Sequence, residues 1–210
     1  GSTDKTVNIA RGYTDKVFSY KIPKVEWHGE EVEDINFSDM RNYADKFATC
    51  DWILTLDADE RIKPEYIQTL KAIIAQQPDI IAYEFPIFNF YEDKGKHYSQ
   101  HNRYKAYKNH IGIYYQCVIH ETIGDSVEER GKAVRIPIPI VHLGYGDPIE
   151  HKKRAETRNI PILERATERE PENYFYWYYL GKSYMTIFDN NDKAKKCFEE
   201  SLKYSKNHLS

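Results

Sequence analysis

The 210-residue sequence is poor in the features that would place it in several large classes. Its three cysteines, Cys50, Cys117 and Cys197, are odd in number, far apart and without a C-x-x-C pair, which excludes a disulfide framework or a zinc knuckle. That usage fits a reducing compartment, so the expected location is cytoplasmic. No apolar run approaches the roughly 20 residues a bilayer-spanning helix needs. No block of one charge sign exists either: 30 basic against 33 acidic residues leave a net charge of −3, spread along the chain. A nucleic-acid footprint is thereby excluded. Aromatic residues are plentiful, with 18 Tyr, 9 Phe and 3 Trp, and a large mixed core accounts for them before any stacking platform does.

The length accommodates one medium core and a helical annex. Hydroxyl and carboxylate caps in Gly1-Ser2-Thr3-Asp4-Lys5-Thr6, then Val7, Ile9 and Ala10, predict a first helix that stops at Gly12. Residues 16–20 read as a strand and 23–36 as a polar loop. Ser38 is expected to cap a second helix carrying Met40, Tyr43, Ala44 and Phe47. Trp52-Ile53-Leu54-Thr55-Leu56 is apolar enough for a buried strand, and it empties into Asp57-Ala58-Asp59-Glu60. Pro64 opens a helix to about residue 75, and 80–85 returns as a strand, so the layout is α/β. Further strands are expected at 103–107, 113–119 and 134–142, with Pro137 and Pro139 forcing an edge or bulged course on the last. The sheet is expected to be mixed.

From Gly146-Asp147-Pro148-Ile149-Glu150 onward the pattern is helical, with an N-cap, a first-turn proline and an acid at the third position. We therefore divide the chain into residues 1–146 and 147–210. Pro161 is expected to kink or split the first long helix near Asn159, and Pro171 to end it. Trp177-x-x-Leu180-Gly181-x-x-Tyr184, followed by Ala194-x-x-x-Phe198, matches the tetratricopeptide (TPR) pattern with a slightly long turn at 189–191. Large apolar groups at helical spacing are packing residues, so Trp177, Leu180 and Tyr184 are assigned to the core rather than to a binding surface.

The chemistry concentrates in Asp57 and Asp59. Two carboxylates at the carboxyl end of a buried strand stand where ligands bind in open α/β sheets. Hard oxygen ligands there suit Mg²⁺ or Mn²⁺ bridging a diphosphate, since these ions keep several waters and take only one or two protein carboxylates. A solvated turn is the plainer explanation of the tripeptide; the preceding strand is what favours a site.

Three blocks carry a family resemblance: Gly1 through Thr6, Asn36-Phe37-Ser38-x-x-Arg41-Asn42, and Asp51 through Glu60. In this order and spacing they resemble consecutive blocks of the family 2 glycosyltransferases, inverting enzymes of the GT-A fold. Val118-Ile119-His120-Glu121 and Val141-His142-x-Gly144-Tyr145 resemble the branch that includes lipopolysaccharide-core glucosyltransferases and bacteriocin S-glycosyltransferases, some of which continue into TPR-like helices. The resemblance implies a GT-A-like sheet followed by a helical extension. It implies a hexose moved from a nucleotide-diphospho-sugar, UDP-linked, to a glycan, peptide or protein acceptor, with Mn²⁺ or Mg²⁺ as cofactor.

Residue by residue, the resemblance makes Asp59 the principal metal ligand and has Asp57 face the donor ribose or the metal, with His142 approaching the ion from another strand. Glu121 becomes the base that takes the acceptor's proton, and His120 orients it or contacts the phosphates. Arg41 and Arg103 are the further diphosphate contacts, because a guanidinium meets two phosphate oxygens with its planar fork. On residue type alone, His120 and Glu121 read as a surface pair, His142 as a hydrogen-bonded residue at a sheet edge, Arg41 as a helix-surface charge and Arg103 as part of a polar loop. Family members carry a strand, a helix and a second strand ahead of the Gly-Ser-Thr-Asp block, holding the nucleotide base. The sequence given starts after them, so the expected GT-A-like sheet is N-terminally incomplete, and the fragment alone is expected either to belong to a longer polypeptide or not to turn over. The competing reading is a non-catalytic scaffold that presents the TPR-like helices.

Overall fold

The computed structural model describes residues 4–90, 98–143 and 148–205. The Gly1 to Thr3 part of the first block, and Gly144, Tyr145, Gly146 and Asp147, where the domain boundary was drawn, lie outside the described residues. The chain folds as a mixed sheet with helices packed on it, followed by a run of helices, the α/β class with a helical extension that the sequence implied.

Helix α1 (Thr6–Arg11) begins where the carboxylate of Asp4 accepts the Thr6 N–H, and it stops at Gly12. The strand expected at 16–20 does not form. That segment is irregular and held by its aromatics: the Phe18 ring stacks on Phe47 at 3.7 Å, and Tyr20 meets Tyr43 edge-on. The expected loop at 23–36 contains instead a hairpin, β1 (Lys24–Trp27) against β2 (Glu30–Glu33). Its two-residue turn needs positive φ at both positions, which His28 (52°) and Gly29 (82°) supply.

Helix α2 (Phe37–Asp45) is capped by Asn36, whose side chain accepts the Asp39 N–H, rather than by Ser38. Ser38 lies one residue inside the helix, buried, and its hydroxyl donates to the Cys117 carbonyl. Asn42 on the same helix grips Tyr115 through both its backbone groups, accepting from the N–H at 2.7 Å and donating to the carbonyl at 2.9 Å. This explains why the strand expected at 113–119 is absent: the side chain of Asn42 takes the place of a neighbouring strand. Residues 113–123 form a tight loop closed by a Gln116–Thr122 bridge, with Cys117 and His120 in the left-handed region.

The six-stranded sheet is built around β5 (Ile80–Phe90). On one side β6 (Tyr98–Lys108) runs antiparallel and carries β3 (Trp52–Leu54) on its far edge. On the other side β7 (Lys132–Arg135) and β8 (Ile140–His142) lie successively along β5, both parallel to it, and β4 (Glu60–Arg61) pairs antiparallel with β8. Pro137 and Pro139, which lack N–H groups, fall in the gap between β7 and β8. The apolar run of β3 is therefore half-buried near a sheet edge rather than fully buried. Helix α3 (Pro64–Gln76), with proline in its first turn, sets Leu70 into a core with Tyr83, Phe85, Ile87 and Ile138. A second cluster, Tyr107, Tyr115, Ile123 and Val127 among it, includes the first turn residue before α4 (Gly124–Glu128).

Pro161 leaves one backbone carbonyl without its usual partner, and the chain answers with a π-helical turn at Ala155–Asn159 between α5 (Pro148–Arg154) and α6 (Ile160–Arg169). Helices α7 (Tyr174–Phe188) and α8 (Asn191–Ser205) form the TPR-like hairpin, turning through Asp189 in the left-handed conformation. Gly181 permits their close approach, since a Cβ there would stand 2.9 Å from the Phe198 ring and 3.0 Å from the Cys197 Cβ. Leu180 and Tyr184 are buried and Trp177 packs against them, as their spacing indicated. Ile119 of the 113–123 loop joins this same cluster, so the helices share a core with the sheet domain. The hairpin clamps them from the other end: Glu168 accepts from the Trp27 indole at 2.7 Å and pairs with His28, and Arg169 meets both Asp34 oxygens at 2.8 Å. Among the described residues, no helix is long and apolar enough to cross a membrane.

Candidate active site

The acidic tetrapeptide leaves β3 and closes on itself before β4. The Glu60 N–H donates to the Asp57 carbonyl, and the Asp57 N–H donates back to the Glu60 carboxylate, each at 2.9 Å. Glu60 is buried, and its charge is answered by Lys105, also buried, which donates to it at 2.6 Å from β6. Lys105 stands 3.6 Å from Asp57 as well. Neither Glu60 nor Lys105 was singled out in the sequence. The available signal was a lone lysine inside a strand pattern, since a cation there needs a buried acid.

Arg41 joins the remaining acids. Its Nη2 lies 2.8 Å from Asp57 Oδ1 and its Nε donates to Glu121 at 2.7 Å. Burial lowers the guanidinium's proton affinity, but the carboxylates of Glu121 and Asp57 outweigh it and raise the pKa above the ordinary arginine value. Burial likewise works against the charge of Asp57, and Lys105 and Arg41 outweigh it, holding that carboxyl below its ordinary range. Arg41, expected as a diphosphate contact, is thus engaged by two protein carboxylates.

Glu121 and Arg41 open onto a cavity of about 350 Å³. Lys105, Arg103 and His120 line it too, with Arg103 donating to the Glu121 carbonyl at 3.4 Å. Helix α7 adds Phe175 and Tyr179 to the lining. The His120 ring stacks on Tyr179 at 3.9 Å, and its pKa is pushed down to about 4 by burial first and Arg103 second. A neutral imidazole at this place can turn or orient a neighbour but offers no positive charge to a phosphate.

Asp59 and His142 do not line that cavity; they meet at the adjoining sheet edge. The β4–β8 pairing sets Glu60 opposite His142, and the Leu143 N–H donates to the Asp59 carbonyl at 2.9 Å. This lock brings His142 Nε2 within 3.2 Å of Asp59 Oδ2. The seven candidate residues therefore fall into two groups, five around the cavity and its ion network with Asp57, Arg41 and Glu121 at the centre, and two at the edge.

A comparison with protein-family models matches residues 1–130 to glycosyl transferase family 2. The chain belongs to that family. Two curated relatives extend the likeness into the helices. A TPR repeat-containing protein of Synechococcus elongatus is 31% identical over 190 residues, which are 86% of this chain and 43% of that protein. The SPbeta prophage-derived glycosyltransferase SunS of Bacillus subtilis is 23% identical over 202 residues, 96% of this chain and 45% of that protein. SunS of Bacillus phage SPbeta matches to the same extent. The chain spans less than half the length of these relatives.

Among the described residues, no group of three or more His, Cys, Asp or Glu side chains converges as a metal cage. One carboxylate and one imidazole could fill two positions of an ion that keeps several waters, as Mg²⁺ and Mn²⁺ do.

Proposed function

We propose that this chain supplies the machinery for inverting transfer of a hexose from a UDP-sugar to a glycan, peptide or protein acceptor, dependent on Mn²⁺ or Mg²⁺. Asp59 and His142 hold the cation, and Asp57 faces the donor beside it. When bound, the ion offsets the negative charge that grows on the departing diphosphate. Glu121 is the base: its carboxylate takes the proton from the acceptor's hydroxyl or thiol as that atom bonds to the anomeric carbon and the bond from that carbon to the β-phosphate oxygen breaks. The nucleoside diphosphate leaves with the electron pair. Arg103 contributes positive charge to the cavity wall, and His120, neutral and stacked, orients Glu121. Three unpaired thiols, Cys50, Cys117 and Cys197, support a cytoplasmic location.

The observation that supports this reading is the Arg41 bridge, which ties the base candidate Glu121 to Asp57 of the acidic turn. The test is UDP release from UDP-hexoses with and without Mn²⁺, combined with Mn²⁺-linked UDP binding by calorimetry. Glu121→Gln is expected to bind as before and lose about 100-fold or more in turnover, since removing a general base costs about 10²–10⁴-fold. Asp59→Asn is expected to lose the metal-linked part of binding. If neither Mn²⁺ nor UDP stabilises the protein, the proposal gives way to a non-catalytic scaffold for the TPR-like helices.

A further inference from the structure

Asn89 sits in the middle of the sheet, on β5, with only 2% of its surface exposed. A carboxamide buried so deeply has to place one acceptor and two donors, and here all find partners across the sheet. On one side Asn89 pairs in register with Ser99 of β6, and its Nδ2 donates to the Ser99 hydroxyl at 3.0 Å and lies 3.2 Å from His101 Nδ1. On the other side it pairs in register with His142 of β8, and its Oδ1 stands 2.7 Å from His142 Nδ1. The contact from His142 Nε2 to Asp59 completes a chain across four neighbouring segments, from His101 through Asn89 and His142 to Asp59.

We propose that Asn89 is a positioning residue for the cation site: by accepting the Nδ1 proton of His142 it fixes the tautomer that aims the Nε2 lone pair at Asp59. An amide oxygen only accepts, so the nitrogen 2.7 Å from it must be the donor. With Nδ1 engaged by Asn89, Nε2 is the nitrogen turned toward Asp59. It faces a carboxylate oxygen at 3.2 Å, where the two atoms can serve as neighbouring ligands of one cation. Ligands on neighbouring corners of an octahedron with bonds of about 2.1 Å stand roughly 3 Å apart, the spacing this pair already has. Holding the second nitrogen of a ligating histidine is the usual means of setting such a site, and carboxylates or backbone carbonyls commonly do it. Here the sheet interior supplies a neutral amide, whose orientation is held in turn by Ser99 and His101. The reversed amide would make His142 donate from Nε2 to Asp59, an ordinary hydrogen bond that leaves no place for an ion.

The inference rests on the cation reading above, and one titration separates the two. Mn²⁺ is added to the protein with UDP present, and free Mn²⁺ is counted by its paramagnetic resonance signal. Asn89→Leu is expected to weaken Mn²⁺ binding by about 10- to 100-fold, the usual effect of losing such a partner, with the circular dichroism spectrum unchanged. Asn89→Asp keeps an acceptor at the same place and is expected to bind within about threefold of the parent or more tightly. If Asn89→Leu binds like the parent while Asp59→Asn does not bind, the role given to Asn89 is wrong and the cation site stands. If the parent itself shows no UDP-linked Mn²⁺ binding, both are wrong. Should Asn89→Leu fail to fold, Asn89→Asp decides: retained affinity supports the tautomer argument, and lost affinity overturns it.

Discussion

Arg41 and Glu121 are 80 positions apart in sequence, and Arg41 Nε donates to the Glu121 carboxylate at 2.7 Å. The same guanidinium reaches Asp57, so one side chain from α2 sets the relative places of two acids from different loops. Arg41→Leu removes both contacts and leaves two partly buried carboxylates facing each other. Turnover is expected to fall about 10- to 100-fold, because small displacements of reacting groups have effects of that size. With Asp57 partly exposed, the stability loss is expected to be only about 1–2 kcal/mol. Arg41→Lys should recover stability better than turnover, as an ammonium cannot span both acids with a fixed fork. Steady-state UDP release and urea unfolding measure the two effects separately.

Lys105 and Glu60 are a different case, with side chains only 4% and 5% exposed. Lys105→Met strands a buried carboxylate and is expected to cost about 3–5 kcal/mol in urea unfolding. Lys105→Met combined with Glu60→Leu should regain most of that loss, since replacing both members of a buried pair by apolar groups is often close to neutral. A double variant as unstable as the single one would show that the pair is not the unit of stability. Turnover should stay low in the double variant even where the fold returns, because the Asp57 N–H loses its acceptor.

Stability should depend on pH through His120. Its folded-state pKa, about 4, lies below the ordinary 6.5, so between those values the unfolded chain binds the proton and the folded one does not. The contribution is fully present above 6.5 and is lost as pH falls toward 4. Thermal melting recorded across that window should show a decline that His120→Asn reduces; asparagine tolerates the positive φ of 58° at this position. Asp57 acts further down: its depressed pKa means that the stability it provides is present above its ordinary value of 3.8 and disappears below it.

Gly181→Ala tests the helical hairpin. In an exposed helix this change gains up to about 1 kcal/mol of propensity. Here the new Cβ would stand 3.0 Å from the Cys197 Cβ, and the helices must separate. A net loss of about 1–3 kcal/mol in thermal unfolding is expected, the cost of overpacking. A more stable Gly181→Ala protein would mean that α7 and α8 are not in contact at this point.

The parts of this structure that could be read from sequence are those with local causes. Asp57 and Asp59 follow an apolar strand, Pro64 opens α3, and Trp177, Leu180, Gly181 and Tyr184 repeat at helical spacing. The hairpin at β1 and β2 was hidden because His28 rather than asparagine or aspartate precedes Gly29 in the turn, and because four of the eight strand residues are glutamate. The 113–123 loop looked like a strand because Ile113, Tyr115 and Cys117 alternate, and only contact with Asn42, some 70 residues earlier, makes it a loop. The same holds for the site. The resemblance brought Asp59 and His142 toward one ion, and they stand 3.2 Å apart, while the engagement of Arg41 by two acids, and the buried pair beneath them, depend on side chains brought together from α2, β6 and the acidic turn.

The aromatic wall that α7 contributes has an engineering consequence. Phe175 and Tyr179 lie one helical turn apart on a helix that also carries the TPR pattern, so the pitch of a repeat element sets the contour of the cavity. Grafting the 174–205 helix pair from a related protein would exchange that contour in a single step while leaving the acidic turn intact. Substrate preference in such hybrids should follow the donor of the helices, and the sheet should remain indifferent to the exchange.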